Sequence, residues 1–134
     1  MEFRDNEPIY LQIAAYIGQN ILLGKWLADQ KIPSVRDLAI ELQVNLNTVL
    51  HAYEFLESQE VIYIKRGLGN FVAPDAQEKV KVYRRERFLQ QDLPVFFTNV
   101  FLLGISQEEL LQRYEQFTLD NNILKPGQTD ESKQ

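Results

Sequence analysis

Two short stretches concentrate the side chains able to do chemistry: Ile32-Pro33-Ser34-Val35-Arg36-Asp37-Leu38-Ala39 and Val44-Asn45-Leu46-Asn47-Thr48-Val49, with His51 just beyond. Their chemistry is recognition rather than bond making. An asparagine amide can bond adenine bidentately, an arginine can hold guanine or phosphate, and hydroxyls or an imidazole can serve either base or backbone. Lys65 and Arg66 add a second cationic group around Gly67 and Gly69. Catalysis has little to draw on. His51 is the only histidine, cysteine is absent, and no Ser/His/Asp set or metal-ligand cluster is present. Gly67-Leu68-Gly69 opens a strand pattern rather than a helix, so it is not a phosphate loop. The chain reads as a non-enzyme without a cofactor or metal.

The elements that must position these residues follow from local signals. Ser34-Val35-Arg36-Asp37 is a capping box with aspartate in the acidic place, and it opens a helix whose Leu38, Ala39 and Leu42 share one face. The chain turns at Gln43-Val44, and Asn45 offers the short polar side chain that starts a helix. Val49, Ala52, Tyr53 and Leu56 then repeat at i, i+3, i+4, i+7 as a buried stripe. At 100° per residue the opposite face carries Asn47, Leu50, His51 and Glu54. Beyond it, Val61 to Lys65 and Asn70 to Val72 read as strands joined by the Arg66-Gly67-Leu68-Gly69 tip. Two helices across a tight turn, followed by a basic-tipped hairpin, make a winged helix-turn-helix.

This string resembles the DNA-binding domain of GntR-family bacterial transcription regulators over Pro8 to Ala73, and the short remainder is similar to the YtrA subfamily. The resemblance rests on Ile9-Tyr10-Leu11-Gln12-Ile13, on the two stretches above with Ala52-Tyr53 and Leu56-Glu57, and on Gly67-Leu68-Gly69-Asn70-Phe71-Val72. It implies a DNA-contacting role for Arg36, and contact of the wing with the DNA backbone or minor groove. The DNA-binding set is therefore expected to be Ser34, Arg36, Asn45, Asn47, Thr48, His51, Lys65, Arg66, Gly67 and Gly69. Plain capping is the stronger account of Asn45 and a weaker one of Asn47 and Thr48, a solvated hairpin accounts equally well for the wing glycines, and His51 is either a DNA donor or a bystander.

Three positions depart from the family pattern. Leu46 and Leu50 stand where cations are common, so guanine-reading and phosphate-binding capacity is lost, although a leucine can contact a thymine methyl. Glu60 occupies the place of a helix-ending glycine, so either the helix ends differently or a strained conformation costs on the order of 1 kcal/mol. Charge is also unusual. The formal net charge is −5 over 134 residues, and through Pro74 nine acidic residues face six basic ones. A DNA binder usually carries a basic footprint. Arg36, Lys65 and Arg66 must then be segregated from the acids, with modest affinity per monomer.

The rest of the chain frames this unit. Pro8 suits a first helical turn, and Tyr10, Ile13, Ala14, Ile17 and Ile21 keep helical spacing up to Gly24, the pattern of a support helix. Trp26 and Leu27 are expected to plug the core, and Lys31-Ile32 to pair with the wing. After Pro74 a basic stretch holds Lys79, Lys81, Arg84, Arg85 and Arg87 among Asp75, Glu78 and Glu86. Leu89, Leu93, Phe96, Val100 and Leu103 then step by 4, 3, 4, 3 as a heptad-like seam that Phe97 and Phe101 widen. Pro94 kinks that helix or begins a new one, Gly104 ends it, and Ser106 caps another.

The expected architecture is mainly α with a small β-hairpin: a winged helix-turn-helix DNA-binding domain over 1–74, a short helical dimerisation or effector region over 75–121 and a disordered tail over 122–134. Two short helices cannot cover so many phenylalanines and leucines, so a second copy of the chain is the first expectation for their cover. Packing on the first domain and a small-molecule pocket rank behind it. Absence of cysteine and of any membrane-length apolar run places the protein in the cytoplasm. The resulting expectation is a homodimeric, sequence-specific regulator of double-stranded DNA, acting as a repressor on a palindromic operator. The rival is a winged-helix protein-interaction module. Any small-molecule effector stays unidentified.

Overall fold

A computed structural model describes residues 1–3 and 7–122; the tail expected at the C-terminus lies, from residue 123 on, outside the described residues. The chain divides into two compact units, one through Arg87 and one from Phe88 onward.

The first unit is built on α1 (Ile9–Leu22), α2 (Val35–Leu42) and α3 (Leu46–Ser58), a hairpin of β1 (Ile62–Lys65) and β2 (Gly69–Val72), and α4 (Ala76–Arg87). Helix α1 buries Ile13, Ala14, Ile17 and Ile21, α3 buries Val49, Ala52, Tyr53 and Leu56, and α2 adds Leu38 and Ala39. Burying one large aliphatic is worth about 1.5–3 kcal/mol, whereas a helix cap gives about 1 kcal/mol. The apolar stripes therefore hold the helices in place, and the caps set where they begin. Helix α4 is dominated by charged residues, yet its Val80 and Tyr83 complete the same core.

The hairpin is antiparallel, pairing Ile62 with Val72, Tyr63 with Phe71, Ile64 with Asn70 and Lys65 with Gly69. Two strands alone are marginal. A third edge supports them: Lys31 bridges Phe71, the Ile32 amide donates to the Asn70 carbonyl at 3.0 Å, and the Asp29 amide donates to the Val72 carbonyl at 2.8 Å. The expected pairing of Lys31-Ile32 with the wing is thus present as a short bridge. Trp26 packs on the core, but Leu27 does not: it is 60% exposed. The turn explains this correction, because the Leu27 amide donates to Gln30 Oε1 and its carbonyl accepts from the Gln30 amide. Closing that loop leaves the side chain outside.

Helix ends share one device. At α1 the Gly24 and Lys25 amides donate to the Ile21 and Asn20 carbonyls, with Gly24 left-handed at φ 75°. Helix α2 closes in the same way through Gln43 (φ 56°) and Val44, and α3 through Glu60 (φ 61°) and Val61. These paired bonds define the Schellman closure, which favours glycine at the left-handed position. The two helices of the helix-turn-helix put glutamine and glutamate there instead. Of the two alternatives at Glu60, the strained one is realised.

The second unit has a π-helical turn over Phe88–Asp92, then α5 (Leu93–Leu102) and α6 (Gln107–Asp120). Pro94 lies in the first turn of α5, so it begins a new helix. Gly104, left-handed at φ 66°, closes α5, and the Ser106 hydroxyl caps α6 by accepting from the Glu109 amide at 3.1 Å. No residue of α5 is buried.

Candidate nucleic-acid interface

The start of α2 and the start of α3 carry the groups that could face a duplex. Ser34 Oγ accepts from the Asp37 amide at 3.0 Å, fixing the first turn of α2 and with it Arg36. Arg36 is exposed and forms no ion pair among the described residues. Asn45 Oδ1 accepts from the Asn47 amide at 2.8 Å, so its oxygen is committed to capping while its NH2 group stays available for phosphate. Asn47 is exposed, and Thr48 is half-buried. Helix α2, the turn and the start of α3 border a groove lined by Arg36, Ala39, Ile40, Val44 and Leu46.

A buried hydroxyl adds a polar tie between α3 and the segment leading into α2. Tyr53 donates to the Pro33 carbonyl at 2.6 Å, linking the middle of α3 to the residue before the α2 cap. Burial, then the Glu41 and Asp37 carboxylates, push the Tyr53 phenol well above its ordinary range, so it remains a donor at any physiological pH.

His51 is exposed but not idle. Its ring stacks on Tyr10 of α1 with centroids 3.6 Å apart and planes 12° from parallel. Tyr10 meets Phe55 edge-on at 6.3 Å, and Phe55 meets Tyr83 of α4 at 5.5 Å. The imidazole is thus oriented by α1, a partner 41 positions away that no local pattern could reveal.

At the wing, Gly67 and Gly69 take φ of 77° and 122°, conformations costly for any other residue type. Lys65 lies over the ring of Phe71 with Nζ 4.8 Å from its centroid, and 5.9 Å from that of Tyr63. A Cβ on Gly69 would come within 3.0 Å of Lys31 Cε. Lys31 therefore belongs to the same cationic group as Lys65 and Arg66. Sequence reading missed it as a candidate, although its place on the strand beside the wing was the available signal.

Ion pairing sorts the cations. Lys79 binds Glu60 at 2.8 Å, Lys81 lies 3.7 Å from Glu78, and Arg87 binds Glu7 at 3.0 Å. The Lys79 ammonium holds the Glu60 carboxyl below its usual range. Lys31, Arg36, Lys65 and Arg66 form no ion pair among the described residues, and neither do Lys25, Arg84 and Arg85. Positive charge is consequently left free on the helix-turn-helix and wing of a chain that is acidic overall. Among the described residues no group of three or more His, Cys, Asp or Glu could hold a metal, and no helix is long and apolar enough to cross a membrane.

The family model for bacterial regulatory proteins of the gntR family matches residues 9–72, from the start of α1 to the end of β2. A solved GntR-family transcriptional regulator from Bacteroides thetaiotaomicron is 45% identical, with a TM-score of 0.72 over 84% of this chain and 98% of that one. The chain belongs to the GntR family. Like other GntR-family members it is a DNA-binding transcriptional regulator with a winged helix-turn-helix and a C-terminal helical region. The HTH-type transcriptional regulator YhcF of Bacillus subtilis is 32% identical over 87% of this chain and 95% of its own length. The HTH-type transcriptional repressor YtrA of the same organism is 29% identical over 87% of this chain and 89% of its own. A GntR-family regulator from Listeria monocytogenes superposes with a TM-score of 0.69 at 34% identity, covering 85% of this chain and 98% of that one.

Proposed function

We propose that this GntR-family regulator is a homodimeric repressor of the YtrA type that binds a palindromic operator in the cytoplasm. Arg36, Lys65 and Arg66 hold phosphates, with Ser34, Gly67 and Gly69 allowing close approach of the backbone. Asn45, Asn47, Thr48 and His51 face the major groove from the start of α3. The observation that carries this reading is the unpaired positive charge of Arg36, Lys65 and Arg66 on elements that a winged helix-turn-helix presents to DNA, whereas Lys79, Lys81 and Arg87 of α4 lie beside acids.

Dimerisation is assigned to Leu89, Leu93, Phe96, Phe97, Val100, Phe101 and Leu103. Phe101 is 82% exposed and Phe96, Phe97 and Leu103 are also exposed, an apolar surface larger than a monomer leaves in water without reason. A dimer of this kind suits a palindromic operator whose half-sites lie in successive major grooves, about 34 Å apart.

Band shift on DNA upstream of the protein's own gene, at several salt concentrations, tests the proposal. Each phosphate contact contributes a slope of about −0.9 in log affinity against log salt. Affinity should therefore fall steeply; absent or salt-insensitive binding would sink the reading.

A further inference from the structure

The recognition helix exposes hydrocarbon where it meets DNA. Leu46 is 43% exposed, Leu50 42% and Ile40, at the neighbouring end of α2, 70%. At 100° per residue, Leu46, Leu50 and Asn47 fall within 100° of one another around α3, with Leu46 at the edge of the buried Val49 and Tyr53 stripe and Asn47 farthest from it. Leu46 and Ile40 line the same groove as Arg36. An apolar patch in this place has to be explained, since most solvated helix faces carry charge.

We infer that Leu46 and Leu50 make this protein select A·T pairs by burying the 5-methyl groups of thymines against their side chains. The inference rests on the operator-binding reading above and specifies which DNA it takes. Each base pair displays a distinct major-groove edge, and only thymine presents a methyl there. Against a cytosine amino group or guanine O6, a leucine would remove water and offer no hydrogen bond, leaving a polar group unsatisfied. Against a thymine methyl the same leucine loses nothing and buries apolar surface. Asn47, one residue after Leu46, has an amide suited to the adenine of such a pair, and its side chain takes no hydrogen bond among the described residues. The rim favours a duplex over a protein partner as occupant: Arg36, which lines the same groove as Leu46 and Ile40, is exposed and forms no ion pair among the described residues.

The test uses the full chain. Operators are selected from a random duplex pool, and affinity is then measured by fluorescence anisotropy on the selected site with single thymines replaced by deoxyuridine, which removes only the methyl. Within each half-site at least one such replacement should weaken binding about fourfold, the value of one buried carbon. In the double variant Leu46→Ala, Leu50→Ala that replacement should have no effect. Both side chains lie outside the buried core, and circular dichroism verifies that the variant is folded. Specific binding that ignores every deoxyuridine replacement overturns the inference while leaving the operator reading intact. So does a variant as sensitive to deoxyuridine as the parent, which would assign the patch to a protein partner. Failure of the pool to yield any preferred sequence overturns both.

Discussion

The Tyr53 hydroxyl donates to the Pro33 carbonyl at 2.6 Å, fastening the middle of the recognition helix to the residue that precedes the cap of α2. Tyr83, also in the core, has a buried hydroxyl with no hydrogen-bond partner among the described residues. The two phenols therefore predict opposite results. Tyr53→Phe strands a carbonyl and should destabilise the protein by about 1–3 kcal/mol. Tyr83→Phe removes only an unsatisfied group and should be neutral or stabilising. Denaturant unfolding of both variants decides the point.

Alkaline titration follows from the same pair. Burial raises both phenols above their ordinary value of 10.0. The folded state holds these protons more tightly than the unfolded chain does, so stability is intact below pH 10 and is lost as pH climbs above it. Thermal unfolding between pH 7 and pH 11 should show this fall, and Tyr83→Phe should make it shallower.

Glu60 sits in a left-handed position that glycine occupies without strain. Glu60→Gly should relieve on the order of 1 kcal/mol of backbone strain, but it also removes the exposed Lys79 pair, a small and solvent-screened contribution. High salt weakens that pair, so the net stabilisation should be clearest there. Gln43→Gly has no ion pair to lose and should stabilise at any ionic strength. Urea midpoints in low and high salt measure both effects.

Arg36→Ala should leave folding and dimerisation unchanged and weaken operator binding by about 1–3 kcal/mol, with a shallower salt slope. Titrations at three salt concentrations provide both numbers. An unaltered slope would remove Arg36 from the phosphate contacts.

Phe101→Asp places a charge in the proposed dimer seam. Analytical ultracentrifugation should find the variant monomeric with the first unit still folded, and operator affinity should drop by at least tenfold because paired half-sites are lost. A variant that remains dimeric would move the interface elsewhere.

Much of the fold could be read from the chain because its signals are local. Ser34 and Asn45 cap their helices, the Val49-Ala52-Tyr53-Leu56 stripe is buried, and the wing glycines take positive φ. The capping box at α2 was only half right, since Ser34 accepts its bond without a return bond from Asp37. Leu27 was misplaced because a turn has no periodicity from which to judge which side chain faces inward. Tyr83 and Val80 were overlooked as core because charges surround them in sequence, and charge dilutes the pattern of an amphipathic helix. The Tyr10 partner of His51 and the closeness of Lys31 to Gly69 depend on tertiary packing, which spacing along the chain does not encode.

The stack of His51 on Tyr10 has a practical consequence. With a single imidazole in the chain, a proton magnetic-resonance spectrum contains one histidine signature, displaced by the ring current of the tyrosine 3.6 Å away. The residue next to Leu50 thus serves as a natural reporter, able to register the arrival of a ligand on the recognition helix without any introduced label.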